Sequence, residues 1–141
     1  MYEKAIALIR EFEGCRLEAY QDVAGVWTIG YGHTGPEVNA TLVWTQQEAD
    51  AALLWDIGQK AEGLKAALRV PLSDNEMAAL LSLAFNIGLG AVKGSTALHD
   101  INIGDKLAGF AAFTLWNRAG GQRRKGLLKR RCREILVALE D

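Results

Sequence analysis

Three polar residues near the N-terminus have types and spacing that suit acid–base chemistry. Glu13 is followed nine residues later by Asp22, and Asp22 is followed six residues later by Thr28. Glycoside hydrolysis uses a protonated carboxylic acid, an ionised carboxylate and a group that positions water. Two carboxylates in contrasting environments are the usual sign of paired acid and base roles. The local structure must therefore bring these three side chains together.

The position of Glu13 on a predicted helix favours its protonated form. Glu13 shares the apolar face of this helix, which desolvates the carboxylate, and it lies at the helix C-terminus, where the macrodipole opposes ionisation. A salt bridge to one of the C-terminal arginines is the alternative, and it would oppose both effects. The helix covers residues 3–13, and its apolar face carries Ala5, Ile6, Ile9 and Phe12.

A short hairpin is predicted to carry Asp22 and Thr28. Gly14 ends the first helix, and residues 17–20 and 26–29 have the composition of strands around a turn at residues 22–25. Such a hairpin would let Asp22 and Thr28 face the end of the first helix. Taken singly, Asp22 would only bond the backbone of its own turn, and Thr28 would be an ordinary strand residue.

The rest of the chain has the pattern of a helical bundle. Thr45 with Glu48, and Ser73 with Glu76, have the spacing of capping boxes. The second box opens a nearly continuous apolar helix over residues 77–87, which is the best candidate for a buried central helix. Gly88, Gly90 and Gly94 mark a short connector. The other predicted helices cover residues 46–68, 95–103, 105–116 and 124–139.

Composition and charge exclude several classes of protein. The 141 residues are 50% hydrophobic and carry a net charge of −1, so the chain is neither disordered nor fibrous. No apolar run approaches the ~18–20 residues of a membrane span. Cys15 and Cys132 do not form a disulfide framework, and we expect both to be reduced. Eight of the 16 Lys and Arg residues lie in residues 117–133, where they would attract an anionic cell wall or hold Glu13.

The sequence resembles the phage-type lysozymes of glycoside hydrolase family 24. The family signature of Glu, eight residues, Asp or Cys, five residues and Thr is matched without a gap by Glu13, Asp22 and Thr28. The resemblance covers nearly the whole chain. Its further motifs are TIGYGHTG at residues 28–35, AFNIG at residues 84–88, GST at residues 94–96, WNRAGG at residues 116–121 and GLLKRR at residues 126–131.

The resemblance implies a role for each residue of the signature. Glu13 would protonate the glycosidic oxygen, Asp22 would stabilise the developing positive charge and direct the attacking water, and Thr28 would hold that water. Hydrolysis would invert the anomeric centre. The expected substrate contacts are Gly32, Thr34 and Phe85, and neither a cofactor nor a metal ion is required.

Neighbouring residues are expected to support this site. Gly30 and Gly32 would let the backbone approach a sugar chain closely. His33 would make a structural hydrogen bond that fixes the small lobe, rather than act as a second base. Phe85 would either reach the floor of the cleft or belong wholly to the core.

The resemblance also implies the fold. We expect an α+β structure that is mainly α: a lysozyme-like fold with a small N-terminal lobe built on a β-hairpin sheet and a larger helical lobe, joined by a long helix. Residues 1–141 would form a single domain. The small lobe would cover about 14–45, the connecting helix about 46–68 and the helical lobe about 70–141, with the helix at 3–13 packed on it.

The activity implied is that of a muramidase in phage- or prophage-mediated host lysis. The enzyme would hydrolyse the β-1,4 bond between N-acetylmuramic acid and N-acetylglucosamine in the glycan strands of peptidoglycan. We expect a monomer made in the host cytoplasm, without a signal peptide, that reaches the periplasm with the help of a holin. We expect neither nucleic-acid binding nor stable membrane insertion.

Two other functions remain open from the sequence. The chain would be a lysozyme-like domain that binds peptidoglycan without turnover, or a lytic transglycosylase that works with one glutamate. The presence of Asp22 and Thr28 beside Glu13 argues against both, since neither function requires all three residues.

Overall fold

The chain folds mainly into helices, with two small antiparallel sheets. The computed structural model describes residues 2–140. This architecture confirms the α+β, mainly α, class. Within the described range the helices are α1 Glu3–Phe12, α2 Gln46–Ala67, α3 Asp74–Ile87, α4 Leu89–Lys93, α5 Thr96–Asn102, α6 Lys106–Ala111 and α7 Lys125–Ala138, and a 3-10 helix covers Ala112–Leu115. The strands are β1 Arg16–Gln21, β2 Trp27–Gly30, β3 His33–Thr34, β4 Arg118–Ala119 and β5 Gln122–Arg123.

Helix α1 ends one residue before the carboxylate of interest. Glu13 is the C-cap: its backbone is extended, and its N–H donates to the carbonyl of Ile9 at 2.8 Å. The buried residues of α1 are Ala5, Leu8 and Ile9, whereas Ile6 is only partly buried. The sequence thus predicted the helix correctly, but its buried face differs slightly from the predicted one. Leu8 is buried where Ile6 was expected to be.

The first sheet has the strand order β1-β2-β3. Its β1–β2 hairpin turns at residues 22–25, and Thr28 of β2 lies opposite Tyr20 on one side and Thr34 on the other. The hairpin was predicted; the short third strand was not. Thr28 is therefore in the middle strand of the sheet, where both neighbours fix its backbone.

Helix α2 is continuous over 22 residues. Thr45 caps it by accepting the N–H of Glu48 at 3.2 Å, while the carboxylate of Glu48 accepts the Thr45 hydroxyl at 3.2 Å. The predicted capping box is therefore only half formed, since Glu48 bonds a side chain and not the backbone of the cap. Gly63 does not interrupt the helix. The absence of a side chain there makes room for Leu89, whose methyl groups a Cβ at this position would overlap.

Helix α3 forms the centre of the helical region. Ser73 and Glu76 make both arms of the predicted capping box, and every residue from Ala78 to Ala84 is buried. The helix packs against α1 on one side and α7 on another. It therefore links α1, which is capped by Glu13, to the basic helix α7.

The C-terminal third differs from the prediction in three places. The helix predicted over 105–116 stops at Ala111 and continues as the 3-10 helix. The connector after Gly88 contains the short α4, and residues 118–123 form a hairpin that was not predicted. The β4–β5 turn uses Gly120 and Gly121 at φ 59° and 77°, the backbone geometry of a two-residue hairpin turn. Among residues 2–140, no helix is both long and apolar enough to cross a bilayer.

Candidate active site

The Glu13 carboxylate lies between the helical region and the small sheet. Its side chain is 25% exposed, and its Oε1 accepts a hydrogen bond from Arg130 Nη1 at 2.8 Å. The structure thus contains a salt bridge between Glu13 and a C-terminal arginine, which the sequence left open as an alternative. The salt bridge fixes the position of this partly buried carboxylate.

Arg130 belongs to a buried charged cluster, which we define as Ser82, Arg130, Arg131 and Glu134. Arg130 Nη2 donates to the carbonyl of Ser82 at 3.2 Å, and its Nε lies 3.4 Å from Glu134 Oε2. The Ser82 hydroxyl donates to the same carboxylate oxygen at 2.5 Å. Arg131 Nη2 donates to it at 3.0 Å. Two arginines thus contact the carboxyl groups of Glu13 and Glu134.

Glu134 is the electrostatic centre of this cluster. It is completely buried, and desolvation raises the pKa of its carboxyl, while Arg131, Ser82 and Arg130 oppose that rise. Arg131 Nε and Glu134 Oε1 approach to 2.6 Å, as an ion pair whose angles fall outside hydrogen-bond geometry. Desolvation likewise lowers the pKa of Arg131. Because buried charges are costly unless paired, the cluster holds Arg130 in one orientation toward Glu13.

Two glycines of the β2–β3 turn have different spatial roles. Gly32, at φ 83°, faces the catalytic candidate: a Cβ at this position would lie 3.8 Å from Glu13 Oε2. Gly30, at φ 67°, faces the Trp44 ring, which would stand 2.9 Å from its Cβ. Gly30 therefore makes room for Trp44, and the expectation that it admits a sugar chain is not supported by this packing.

Asp22 is held by the backbone of its own turn. Its Oδ1 accepts the N–H groups of Ala24 at 2.8 Å and of Val26 at 2.9 Å. For this oxygen, Asp22 therefore acts as a turn residue that bonds the backbone of its own turn. Within residues 2–140, Oδ2 accepts no hydrogen bond, and the residue is exposed. One carboxylate oxygen fixes the side chain and the other remains free to act.

The backbone of Val26 joins Asp22 to Thr28. The Thr28 hydroxyl donates to the carbonyl of Val26 at 2.9 Å, and the same carbonyl accepts the N–H of Asp22 at 2.9 Å. Thr28 is 4% exposed. Since its hydroxyl proton is engaged, its oxygen can serve only as an acceptor toward a further group. Asp22 and Thr28 therefore share the backbone of Val26 as a hydrogen-bond partner. Glu13 lies next to Gly32.

The remaining predicted contacts lie on neighbouring elements. Thr34 is exposed in β3, opposite Thr28. Phe85 is partly buried near the end of α3, where it packs against the core while the Lys60 ammonium lies 5.7 Å from its ring centroid. Phe85 thus has both a core surface and a cationic neighbour.

His33 has a structural position. Its Nδ1 lies 2.7 Å from Asp56 Oδ2 and its Nε2 lies 2.7 Å from Glu37 Oε1. Burial lowers the pKa of His33, but the hydrogen bonds with Glu37 and Asp56 outweigh this effect and raise the pKa above its usual value. Both ring nitrogens are occupied, which agrees with a structural hydrogen bond to α2 that fixes the small sheet.

Two members of the buried charged cluster were not predicted from the sequence. Ser82 is a polar residue inside an apolar helical run, and Glu134 stands three and four residues after the arginine pair. These were the available signals, and each is weak alone. Among residues 2–140, no group of three or more His, Cys, Asp or Glu is placed to hold a metal ion.

A family model and a sequence relative both place the chain among the phage lysozymes. The family model described as phage lysozyme matches residues 10–134. An endolysin of Acyrthosiphon pisum secondary endosymbiont phage 1 is 45% identical over 133 residues, which cover 92% of this chain and 90% of the endolysin.

Solved structures agree with the sequence comparison. The muramidase domain of SpmX from Asticaccaulis excentricus superposes with a TM-score of 0.89 and 33% identity, covering 97% of this chain and 95% of that domain. A crystal structure of a P22 lysozyme mutant gives a TM-score of 0.86 and 37% identity, covering 96% of this chain and 95% of the other.

Proposed function

Because the chain belongs to the phage lysozyme family and is a glycoside hydrolase of the lysozyme type, we propose that Glu13, Asp22 and Thr28 carry out the hydrolysis. Endolysins of this family act on peptidoglycan in phage lysis. The bond cleaved is the β-1,4 linkage between N-acetylmuramic acid and N-acetylglucosamine. Glu13 protonates the glycosidic oxygen, and water attacks the anomeric carbon from the opposite face, with inversion.

The observation that carries this proposal is the fixed, half-buried position of Glu13. Its Oε1 is bound to Arg130, while Oε2 faces the backbone of Gly32. A general acid must be held within hydrogen-bond reach of the leaving oxygen. Arg130 restricts the carboxylate to one orientation, and the absence of a side chain at Gly32 leaves space beside the oxygen that donates the proton.

Asp22 and Thr28 are suited to position the attacking water. Asp22 Oδ2 is free while Oδ1 anchors the side chain, so the free oxygen can accept a proton from water. Thr28 Oγ1, whose proton is engaged by Val26, can accept a second hydrogen bond from the same water. Both side chains are hydrogen-bonded to the backbone of one residue, Val26, which restricts how far apart they can move.

The substrate contacts follow from the same surfaces. Gly32 lies beside Glu13 Oε2, Thr34 is exposed in β3, and Phe85 has the Lys60 ammonium above its ring. We propose that the glycan strand contacts these residues. We further propose that the chain acts as a monomer, and that it reaches the periplasm from the host cytoplasm through a holin.

The decisive experiment compares products and a matched glutamate variant. Purified cell walls are treated with wild-type protein, Glu13→Gln and Glu11→Gln, and the products are analysed by mass spectrometry. Glu11 is a fair control because it lies two residues away and pairs with Arg133 at 3.3 Å on the surface. Reducing muropeptides from the wild type and Glu11→Gln, with at least a ~100-fold loss in Glu13→Gln, are expected.

Other outcomes would redirect the assignment. Anhydro-muramyl products would identify a lytic transglycosylase. Wall binding without products would identify a binding domain without turnover. Full activity in Glu13→Gln, with its fold intact by circular dichroism, would refute the role of Glu13.

A further inference from the structure

Helix α7 has a second apolar face that packs against nothing in the described chain. Its inner face carries the ionic residues that hold Glu13. Its outer face has a stripe of exposed apolar side chains at intervals of four, four and three residues, which places them on one side of a helix. This outer stripe consists of Leu128, Cys132, Leu136 and Leu139, of which the leucines are 43%, 59% and 52% exposed.

A row of cations runs beside the outer stripe. Lys125, Lys129 and Arg133 are spaced four residues apart and are all exposed. Together with three residues of the outer stripe they line a shallow, open concavity of about 430 Å³. The surface that lines it is almost wholly apolar, although three of the six lining residues are cationic, so apolar surface and positive charge occur in one patch.

The cations greatly outnumber acidic groups at this end of the molecule. Three further exposed arginines, at 118, 123 and 124, lie just before α7. Among residues 2–140, the exposed acidic neighbours are Glu140 at the far end of the outer stripe and Glu11, which pairs with Arg133 at 3.3 Å. The whole chain nevertheless carries a net charge of only −1, so this end has a positive potential that the composition does not reveal.

We propose that the outer face of α7 docks on the surface of an anionic phospholipid bilayer. A helix with leucines on one line and lysines beside it lies in the plane of such a surface, with the apolar side chains below the headgroups and the ammonium groups at the phosphates. The leucines supply apolar burial, and Lys125 and Lys129 supply charge complementarity.

Two other occupants fit this face less well. A second copy of the chain would present the same row of cations, and within the described residues Glu140 is the one acidic group on its outer face that could offset them. An anionic wall polymer would satisfy the lysines but would leave the outer stripe in water, since such polymers have little apolar surface to bury. A lipid surface satisfies both components.

The face of α7 that would dock is separate from the face that contacts Glu13. Arg130, Arg131 and Glu134 point into the core while Leu128, Cys132 and Leu136 point outward. One helix would therefore hold the protein on a membrane and hold Glu13 in place at the same time. The contact is peripheral, and it requires no segment that spans the bilayer.

The test measures co-sedimentation of the full chain with sucrose-loaded vesicles. Phosphatidylglycerol–phosphatidylethanolamine vesicles should bind the protein, and phosphatidylcholine vesicles should not. Leu128→Gln combined with Leu136→Gln should lower the partition coefficient by about tenfold or more. Leu54→Gln is the matched control, because Leu54 is a 50%-exposed leucine on the distant α2, and it should bind as the wild type does.

A second pair of variants tests the charge. Lys125→Glu with Lys129→Glu should abolish binding to anionic vesicles, whereas Lys93→Glu, at an exposed lysine on α4, should have little effect. Raising the salt from about 50 mM to about 500 mM should weaken wild-type binding without removing the part due to the leucines. Circular dichroism establishes that each variant is folded.

Three results would overturn the proposal. Absence of binding to anionic vesicles would do so directly. Binding to anionic vesicles that is unchanged in the Leu128→Gln, Leu136→Gln variant would indicate a site for polyanions in general. A dimer in sedimentation velocity that the leucine pair disrupts would show that a second copy covers this face. Because the vesicles contain no peptidoglycan, none of these results depends on whether Glu13 is the catalytic acid.

Discussion

Glu13 and Asp22 are positioned by opposite means. Glu13 is held by a side chain 117 residues away, and that side chain is held in turn by two buried residues on different helices. Asp22 is held by N–H groups two and four residues further along its own turn. One carboxylate depends on the whole helical packing, and the other depends on five consecutive residues.

This difference has an energetic consequence. The buried charged cluster removes three ionised groups from water, so it is stable only when every partner is present. The Asp22 turn keeps its charge at the surface and uses ordinary backbone hydrogen bonds, each of modest net value. Damage to the cluster should therefore affect folding as well as activity, whereas damage to the turn can be confined to chemistry.

The largest effect is expected from breaking the cluster at its centre. Glu134→Ala leaves the completely buried Arg131 without its counter-charge, and the free energy of unfolding should fall by about 3–5 kcal/mol. Denaturant unfolding followed by circular dichroism measures this change. Glu140→Ala, at an exposed glutamate on the segment that follows α7, is the control. Equal midpoints for the two variants would mean that the cluster does not support the fold.

A smaller effect, limited to activity, is expected at Asp22. Asn keeps an Oδ1 that can accept the N–H groups of Ala24 and Val26, but it lacks the charge and the basicity. Asp22→Asn should therefore retain wild-type stability while kcat/KM falls about 100-fold. Turbidity clearing and thermal unfolding provide the two measurements.

Asp22→Ala separates the two roles of the carboxylate. It should lose activity to a similar extent and also lose about 1 kcal/mol of stability, because the turn bonds disappear. If Asp22→Asn were fully active and Asp22→Ala inactive, Asp22 would be a turn residue only.

The smallest effect is expected at His33, and it depends on pH. The folded pKa of His33 is raised, so its ion pairs stabilise the fold fully below the unfolded value near pH 6.5. That stabilisation is lost as the pH rises through the folded pKa. His33→Gln should cost about 1–2 kcal/mol at pH 5.5, and the difference from wild type should shrink at alkaline pH.

Unfolding curves across the pH series test this prediction. His99→Gln is the control, since the His99 side chain is 72% exposed beside Asp100. A difference for His33→Gln that stays constant with pH would show that the imidazole contributes packing and not charge.

The contrast between Glu13 and Asp22 also explains what the sequence could predict. The end of α1 near Gly14, the turn at residues 22–25 and the Ser73–Glu76 capping box depend on residues close together in the chain, and all three were predicted. The signature Glu13, Asp22 and Thr28 was found by resemblance, and its catalytic roles remain predictions.

The features that were missed depend on packing between distant segments. Ser82 and Glu134 meet across 52 residues, and no local pattern specifies that contact. The helix predicted over residues 105–116 ends at Ala111 and continues as a 3-10 helix, a change that helical periodicity does not predict. The β4–β5 hairpin did have a local signal, the pair Gly120 and Gly121, and a search for two-residue turns would have found it.

Val26 illustrates how a site can depend on a residue without depending on its side chain. Its N–H binds Asp22 and its carbonyl binds Thr28, while its side chain is 45% exposed. Most substitutions at this position would preserve both contacts, because every amino acid except proline supplies the same N–H and carbonyl. Proline would remove the N–H that binds Asp22 Oδ1, so the geometry of the candidate site depends on the backbone here and not on the valine side chain.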